Sequence, residues 1–317
     1  MAQFDPSQPN NEFWWADPQF ERELRSDPEA ALRRRGTNVP SGLPAKIVLD
    51  VARIVSLIWQ DGRVISKRQF FIDPDDEGLL FGRGLWESTR TFGGDPWLWD
   101  AHLDRLKRTA PLVDVAIDPE KLPDRRAVTD FVRSLTMMDV VIRLNVTAGG
   151  MGKPGTVWMS AAFLEKPIES ARLQSCPSPV PKNQPYLVWK TFHYATRLRV
   201  GRSASPGYHS TLLVDGDGAI LEAAHANIFI RLPDGWATPE VDGGLLPGTV
   251  REHLLKHSPL PIQEHKIPLA SLATAQEAFL TNSNAGIIPI ARIDAQDFPI
   301  GEETRRLMGW IRTPGIV

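Results

Sequence analysis

The sequence predicts an α+β chain folded as two α/β-type domains, and three observations carry that reading. Short apolar runs bounded by turn residues recur through both halves, while helical periodicity is confined to a few segments. The chain has 317 residues, and at roughly 100–200 residues per domain that length suggests two. Between the halves, Pro167, Pro177, Pro179, Pro181 and Pro185 crowd a stretch of little periodicity, the composition of a linker.

Composition excludes several classes. Apolar residues make up 42% and charged residues 23%, which fits a globular protein and not a disordered one. Lys and Arg number 36 and Asp and Glu 38, a net charge of −2, so no basic footprint for nucleic acid is present. No run approaches the ~20 apolar residues of a membrane span. The start, Met-Ala-Gln-Phe-Asp-Pro, has no basic and apolar signal pattern, and the single cysteine, Cys176, permits no intrachain disulfide. A cytoplasmic protein is expected.

Residues 1–45 read as an N-terminal extension, rich in charge and Pro, with Phe13, Trp14, Trp15 and Phe20 expected to pack on the body. Within it, Ser26 to Arg35 reads as a short helix opened by an N-cap and Pro. A small α+β domain is expected over 46–166. Ile54 to Trp59, Asp61-Gly62 and Arg63 to Ile65 form a hairpin with a D-G turn. Trp86 to Phe92 and Pro96 to Trp99 form a second hairpin around Gly93-Gly94-Asp95. Asp100 to Thr109 has helical period, with Leu103 and Leu106 on one face. Val140 to Thr147 and Val157 to Phe163 are strands around a glycine loop. A linker region is expected over 167–184, with a strand around Arg172–Ser175 as an alternative within it. Residues 185–317 read as the larger C-terminal domain. It opens on the apolar run Tyr186 to Trp189. A helical stretch, the hairpin Thr211–Val214 and Ala219–Leu221, the strand Ile228–Ile230, a helix from Thr249 and the strand Glu277–Thr281 follow.

Two motifs fail on inspection. Gly149 to Thr156 resembles a phosphate loop, but the place of its first glycine holds Thr147 and Lys153 is followed by Pro154. His253 and His257 have metal-compatible spacing, yet Leu254 stands where a zinc protease needs Glu and no third ligand is evident. They read as exposed helix histidines, and no metal is expected.

Lys190 ends an apolar run. A lysine out of water is costly unless neutralised or covalently used, and desolvation at a strand end makes an amine nucleophilic. Glu222 lies among small residues between two apolar strands. Leu246-Pro-Gly-Thr-Val-Arg251 opens a helix whose free N–H groups suit a phosphate. Arg105 stands on an amphipathic helix. Singly, these read as a strand-edge lysine, a turn carboxylate, a helix start and a solvated arginine.

Together they make a pattern. The blocks Phe81-Gly-Arg-Gly-Leu-Trp-Glu-Ser-Thr-Arg90, His102-Leu-Asp-Arg-Leu106, Lys190-Thr-Phe-His-Tyr194, Glu222-Ala-Ala-His-Ala-Asn-Ile-Phe229, Leu246 to Arg251 and Phe279-Leu-Thr-Asn-Ser-Asn-Ala285 occur in order. In these blocks the chain resembles the fold-type IV pyridoxal-phosphate enzymes. That group holds branched-chain and D-amino-acid aminotransferases, (R)-amine transaminases and aminodeoxychorismate lyase. The resemblance runs from about Ile54 to about Ile293. It implies a D-amino-acid aminotransferase-like fold with pyridoxal 5′-phosphate in the cleft between domains, and a homodimer.

Residue by residue, the resemblance makes Lys190 the lysine that carries the cofactor and shuttles the proton. It makes Glu222 the carboxylate on the pyridine nitrogen and Arg105 the clamp on the phosphate. Thr249 and Val250 become the helix N-terminus beneath the phosphate, Ser283 a further phosphate contact, and Tyr194 the hydroxyl on the cofactor's O3′. Asn284 follows on the turn that commonly meets substrate. His193 and His225 depart from the family pattern and are candidates for places near the ring.

For substrate, the arginine that relatives acting on D-amino acids carry after Val-Thr is Ala148 here. Arg90 and Arg143 match arginines of the branched-chain type, but its tyrosine places hold Phe81 and Val141. Trp86 is expected to narrow an apolar pocket. The expected activity is a PLP-dependent class IV aminotransferase of amino-acid metabolism. It would move an amino group from a donor with an apolar side chain to a 2-keto acid. An aminodeoxychorismate lyase-type reaction and (R)-amine or D-amino-acid transamination stand as alternatives.

Overall fold

The computed structural model describes residues 57–135, 137–165, 168–179, 181 and 188–311, together with Glu23, Ser26, Asp27, Ala30 and Arg34. Asp27 Oδ1 accepts the Ala30 N–H at 3.0 Å, so Asp27 caps the short helix of the N-terminal extension. The aromatics of that extension, Ile54 to Ser56 and Tyr186-Leu187 lie outside the described residues.

The first sheet has the order β2-β1-β6-β5-β3-β4. Strands β1 (Leu57–Gln60) and β2 (Arg63–Ser66) pair Gln60 with Arg63. Between them Asp61 and Gly62 both have positive φ, 46° and 84°, as a two-residue hairpin turn requires. Helix α1 (Glu77–Phe81) precedes the long β3 (Gly84–Phe92). The second hairpin is shorter than expected. Strand β4 is only Asp95–Pro96, and the chain turns at Leu98 (φ 51°) into α2 (Trp99–Thr109). Trp97 and Trp99 are therefore core anchors at a helix entrance, each 2% exposed or less. Helix α3 (Arg125–Ser134) and strands β5 (Val140–Thr147) and β6 (Val157–Phe163) complete this half.

Period-two alternation divides the sheet. Ile142, Leu144 and Val146 pack with Leu103, Leu106 and Phe131 in one core cluster. Leu85 and Glu87 of β3 share that side, while Trp86 and Ser88 lie on the reverse face with Arg143 and Asn145.

The second sheet has ten strands, ordered β12-β11-β10-β14-β15-β7-β8-β9-β13, with β16 on β15. The strand expected around Arg172–Ser175 is present, and it takes that part of the expected linker into the second sheet. Strand β7 (Ala171–Pro177) runs parallel between β15 and β8 in mid-sheet. Its Ala171 and Leu173 are buried, and a proline ends it where its donor is not needed. After α4 (Ala195–Gly201) come β8 (Ser210–Val214), β9 (Ala219–Ala223), β10 (Asn227–Leu232) and β11 (Gly235–Thr238). Then follow α5 (Thr249–His257), β12 (Ile262–Glu264), β13 (Ile267–Pro268), β14 (Glu277–Asn282), β15 (Gly286–Ile293), β16 (Gln296–Asp297) and α6 (Glu302–Trp310).

A third core cluster, besides the second sheet's own around Leu173, Ile230 and Ile290, positions the site. Trp97 and Leu98, entering α2, pack with Phe229, Phe279, Val250, Leu254 and Leu307 of the second sheet and its helices. This apolar contact ties α2 to α5 and sets their polar ends against one cleft. Among the described residues no helix is long and apolar enough to cross a membrane.

Candidate active site

Lys190 is placed by β3, not by a strand of its own. Trp86 N–H donates to Lys190 O and Phe192 N–H to Gly84 O, each at 3.0 Å. Trp86 Nε1 donates to Thr191 O at 3.0 Å. The expected strand end is thus an irregular segment pinned along the start of β3. It turns the lysine inward, and its Nζ sits 3.9 Å from the centroid of the Trp86 ring. Burial lowers the ammonium from 10.5 to about 7, helped by the Arg105 and Arg197 charges and opposed by Glu87 and Glu222. Near neutral pH a substantial fraction of the amine is therefore unprotonated.

Glu222 lines the same cleft as Lys190. It lies 2% exposed on β9. Arg197 Nη2 donates to its Oε1 at 2.6 Å and Leu246 N–H to the same oxygen at 3.1 Å. Asn227 Nδ2 donates to its Oε2 at 3.0 Å. Burial nevertheless raises the carboxyl above its usual range, against the Arg197 charge and these donors. Asn227 also donates to Leu246 O at 2.8 Å, which holds the loop before α5 against β10. A Cβ at Gly248 would collide with Asn227 Oδ1, so only glycine lets the helix start so close.

The opposite end suits a phosphate. Helix α5 begins at Gly248 without a side-chain cap, so its first-turn amides have no intrahelical acceptor. Arg105, Thr249, Val250 and Ser283 line the same cleft. So does Thr281, whose buried Oγ1 has no hydrogen-bond partner among the described residues. An orphaned hydroxyl beside open amides and a guanidinium is the donor set an anion satisfies. The residues present fit pyridoxal 5′-phosphate: α5 and Arg105 would take its phosphate, Glu222 would face its ring nitrogen, and the Lys190 amine lies in the same cleft.

Arg105 is more than a surface clamp. It is 6% exposed. Its Nε and Nη2 donate to the two Glu87 oxygens at 2.8 and 2.5 Å, and its Nη1 to Pro247 O at 2.9 Å. Burial works to raise the Glu87 carboxyl, but the Arg105 charge and the hydrogen bonds from His102 and Arg105 outweigh it and hold it at about 2. The arginine's fork is thus fixed before any ligand arrives.

Tyr194 lies in the cleft, edge-on to Trp86 with ring centroids 5.0 Å apart. Its hydroxyl is 3.1 Å from His225 Nδ1, and the two rings stack. His225 lines the cleft, whereas His193 packs against Gly82. The residues expected to meet substrate divide. The Arg143 guanidinium lies 4.0 Å from the Trp86 ring centroid. Arg90 Nη1 donates to Asn284 O at 3.5 Å, and its guanidinium covers Phe92. Asn284 lines an adjoining groove. Phe81 is 62% exposed at the end of α1 and is not among the residues lining the cleft.

Sequence reasoning missed Arg197, which stands with Arg199 on α4 yet is 7% exposed and paired to Glu222. Its one signal is its place three residues after Tyr194, one helical turn on. Glu87 and His102 stand inside quoted blocks without an assigned role. His253 is also corrected: it is half-buried, stacked on Trp310, not exposed. Among the described residues no cluster of side chains suits a metal.

Residues 84–293 match the family model described as amino-transferase class IV. The aminodeoxychorismate lyase of Bacillus subtilis (strain 168) is 28% identical over 278 residues, covering 79% of this chain and 92% of that protein. The D-alanine aminotransferase of Bacillus licheniformis is 22% identical over 257 residues, covering 76% and 89%. Among solved structures, a hypothetical aminotransferase from Mycobacterium tuberculosis in its PLP-bound form has a TM-score of 0.70 at 21% identity, covering 81% of this chain and 97% of that one.

Proposed function

The chain belongs to the class IV aminotransferase family, whose enzymes work with pyridoxal 5′-phosphate, and on that basis we propose that it transfers an amino group from an amino acid with an apolar side chain to a 2-keto acid. One observation carries the substrate class. Asn282 lines both the cleft and an adjoining groove whose wall is mostly apolar, Val141, Phe163, Leu164, Ile168 and Ile288 with Glu165 beside them. An apolar side chain entering that groove would leave its carboxylate near the Ser283–Asn284 turn, with Arg143 on the Trp86 ring as the candidate cation.

In this reading the bound cofactor supplies an electron-withdrawing ring that stabilises charge left at the substrate carbon. Everything else is the work of the chain. Lys190, neutral in part near pH 7, carries the cofactor and moves the proton at the reacting carbon. Glu222 holds positive charge at the ring nitrogen. Arg105, Thr249, Val250, Thr281 and Ser283 hold the phosphate. Trp86 covers the amine and keeps water from it. The reading also takes the protein as a cytoplasmic homodimer, supported by the single cysteine and by the exposed apolar run Leu79, Leu80 and Phe81 of α1.

A second reading, an aminodeoxychorismate lyase-type elimination, is favoured by the name of the Bacillus subtilis relative. The two differ in what happens to the cofactor. In a transaminase, the donor alone converts the cofactor to its amine form, the yellow colour fades, and a 2-keto acid restores it. A lyase keeps its colour and releases pyruvate without an acceptor. Screening L-amino acids, D-amino acids and (R)-amines in single half-reactions tests the proposal. Pyruvate release from aminodeoxychorismate without fading by any amino acid overturns it.

A further inference from the structure

Glu87, His102 and Thr249 form a buried chain of hydrogen bonds that ends at the phosphate end of the cleft. Glu87 Oε2 lies 2.7 Å from His102 Nδ1, and His102 Nε2 lies 3.2 Å from Thr249 Oγ1. His102 is 0% exposed. The partners assign the hydrogens. Glu87 is ionised and only accepts, so His102 Nδ1 carries a hydrogen. Burial holds the imidazolium below its ordinary range, despite Glu87, so the ring is neutral and Nε2 is bare. A bare Nε2 accepts, and the Thr249 hydroxyl donates to it. That hydroxyl has one hydrogen, so in the cofactor-free protein it turns lone pairs toward the cleft.

A phosphate dianion seated on the first turn of α5 meets those lone pairs. We propose that His102 takes up a proton at Nε2 when the phosphate binds, so that the Thr249 hydroxyl reverses and donates to the phosphate. The balance is simple. A solvent proton forms one N–H bond at Nε2, that N–H donates to Thr249 Oγ1, and the hydroxyl hydrogen rotates to a phosphate oxygen. No other bond changes and no electron moves. The inference rests on the reading of Arg105 and Thr249 as the phosphate end.

The charged groups facing His102 are Glu87 from β3, Arg105 from its own helix and Lys190 from the segment along β3, with the Thr249 hydroxyl from α5. Arg105 and Lys190 oppose the new charge. Glu87 favours it, and the arriving dianion adds the missing share. His102 is thus a positioning residue, acting on the ligand through Thr249. Between its pKa in the free and bound protein, binding consumes one proton. There the affinity for the phosphate falls as pH rises, approaching tenfold per pH unit.

The test uses the full-length chain freed of cofactor, with pyridoxamine 5′-phosphate as probe because it does not react with Lys190. Calorimetry in two buffers of different ionisation enthalpy counts the protons taken up near neutral pH. Wild type and Thr249→Ser take up about one proton more than Thr249→Val. His102→Gln loses the same proton and serves where the valine variant does not fold. Equal counts in wild type and the variants lacking the relay overturn the inference while leaving the phosphate site intact. A wild-type chain that does not bind the probe overturns the site reading and the inference with it.

Discussion

The Lys190 amine faces the Trp86 ring, with the nitrogen 3.9 Å from the ring centroid. An aromatic face attracts an ammonium, yet the surrounding burial and arginine charges lower this one to about 7. Trp86 is therefore a cover that shields the amine from water and cannot by itself keep it charged.

A pH signature follows in the cofactor-free protein. Folded, Lys190 loses its proton near 7, and unfolded near 10.5. Between these values the unfolded chain binds more protons, so stability rises with pH across that window and the burial penalty is full below it. Denaturant midpoints measured from pH 6 to 10 carry this rise in wild type. Lys190→Met flattens it. An identical slope in both proteins contradicts the buried, uncharged amine.

Arg105→Ala is expected to act twice. Loss of a charge-assisted contact of about 1.5–3 kcal/mol weakens cofactor binding roughly tenfold to a hundredfold. It also leaves the buried Glu87 carboxylate with the His102 hydrogen bond but no charged partner, and breaking a buried ion pair costs about 3–5 kcal/mol. Adding Glu87→Gln to Arg105→Ala recovers part of the stability without recovering cofactor affinity. Thermal melts and cofactor dissociation on dilution separate the two effects.

Arg197 makes the parallel case at the ring end. Arg197→Met leaves Glu222 buried among only Asn227 and Leu246 donors and is expected to destabilise the chain by about 3–5 kcal/mol. Glu222 then protonates more readily still. The absorption of the bound cofactor should shift as its ring nitrogen loses a charged partner, and an unshifted spectrum counts against Glu222 as that partner.

Arg143 tests the substrate reading. If its guanidinium on Trp86 meets the substrate carboxylate, Arg143→Ala raises KM for amino acids by about tenfold to a hundredfold, the worth of one charged hydrogen bond. Rates with amines lacking a carboxylate stay within about twofold. Equal losses with both substrate kinds place the carboxylate elsewhere.

The residues that were legible in the sequence share a local cause. Asp61-Gly62 announces its turn because two positive φ angles demand such residues, and β5 and β6 follow alternation that a half-buried sheet imposes. Lys190, Glu222, Thr249 and Arg105 were found through their motifs, and all four line one cleft. What escaped depends on distant partners. Strand β7, expected only as a short piece inside the linker, is hard to see among prolines because its pairing comes from β8 and β15, with Leu173 opposite Ser210 and Ala171 opposite Ile290. The Pro96–Trp99 strand fails because the third core cluster captures Trp97 and Leu98. Arg105 looks solvated and Arg197 carries no mark until α2 and α4 pack, since a charge's burial belongs to its surroundings and not to its spacing.

The central claim is that Lys190 carries the cofactor. Borohydride reduction of the purified yellow protein, followed by proteolysis and mass spectrometry, tests it most directly. A reduced pyridoxyl group is expected on the peptide containing Lys190, with no such label in Lys190→Ala. A label on another lysine, such as Lys182, would contradict it.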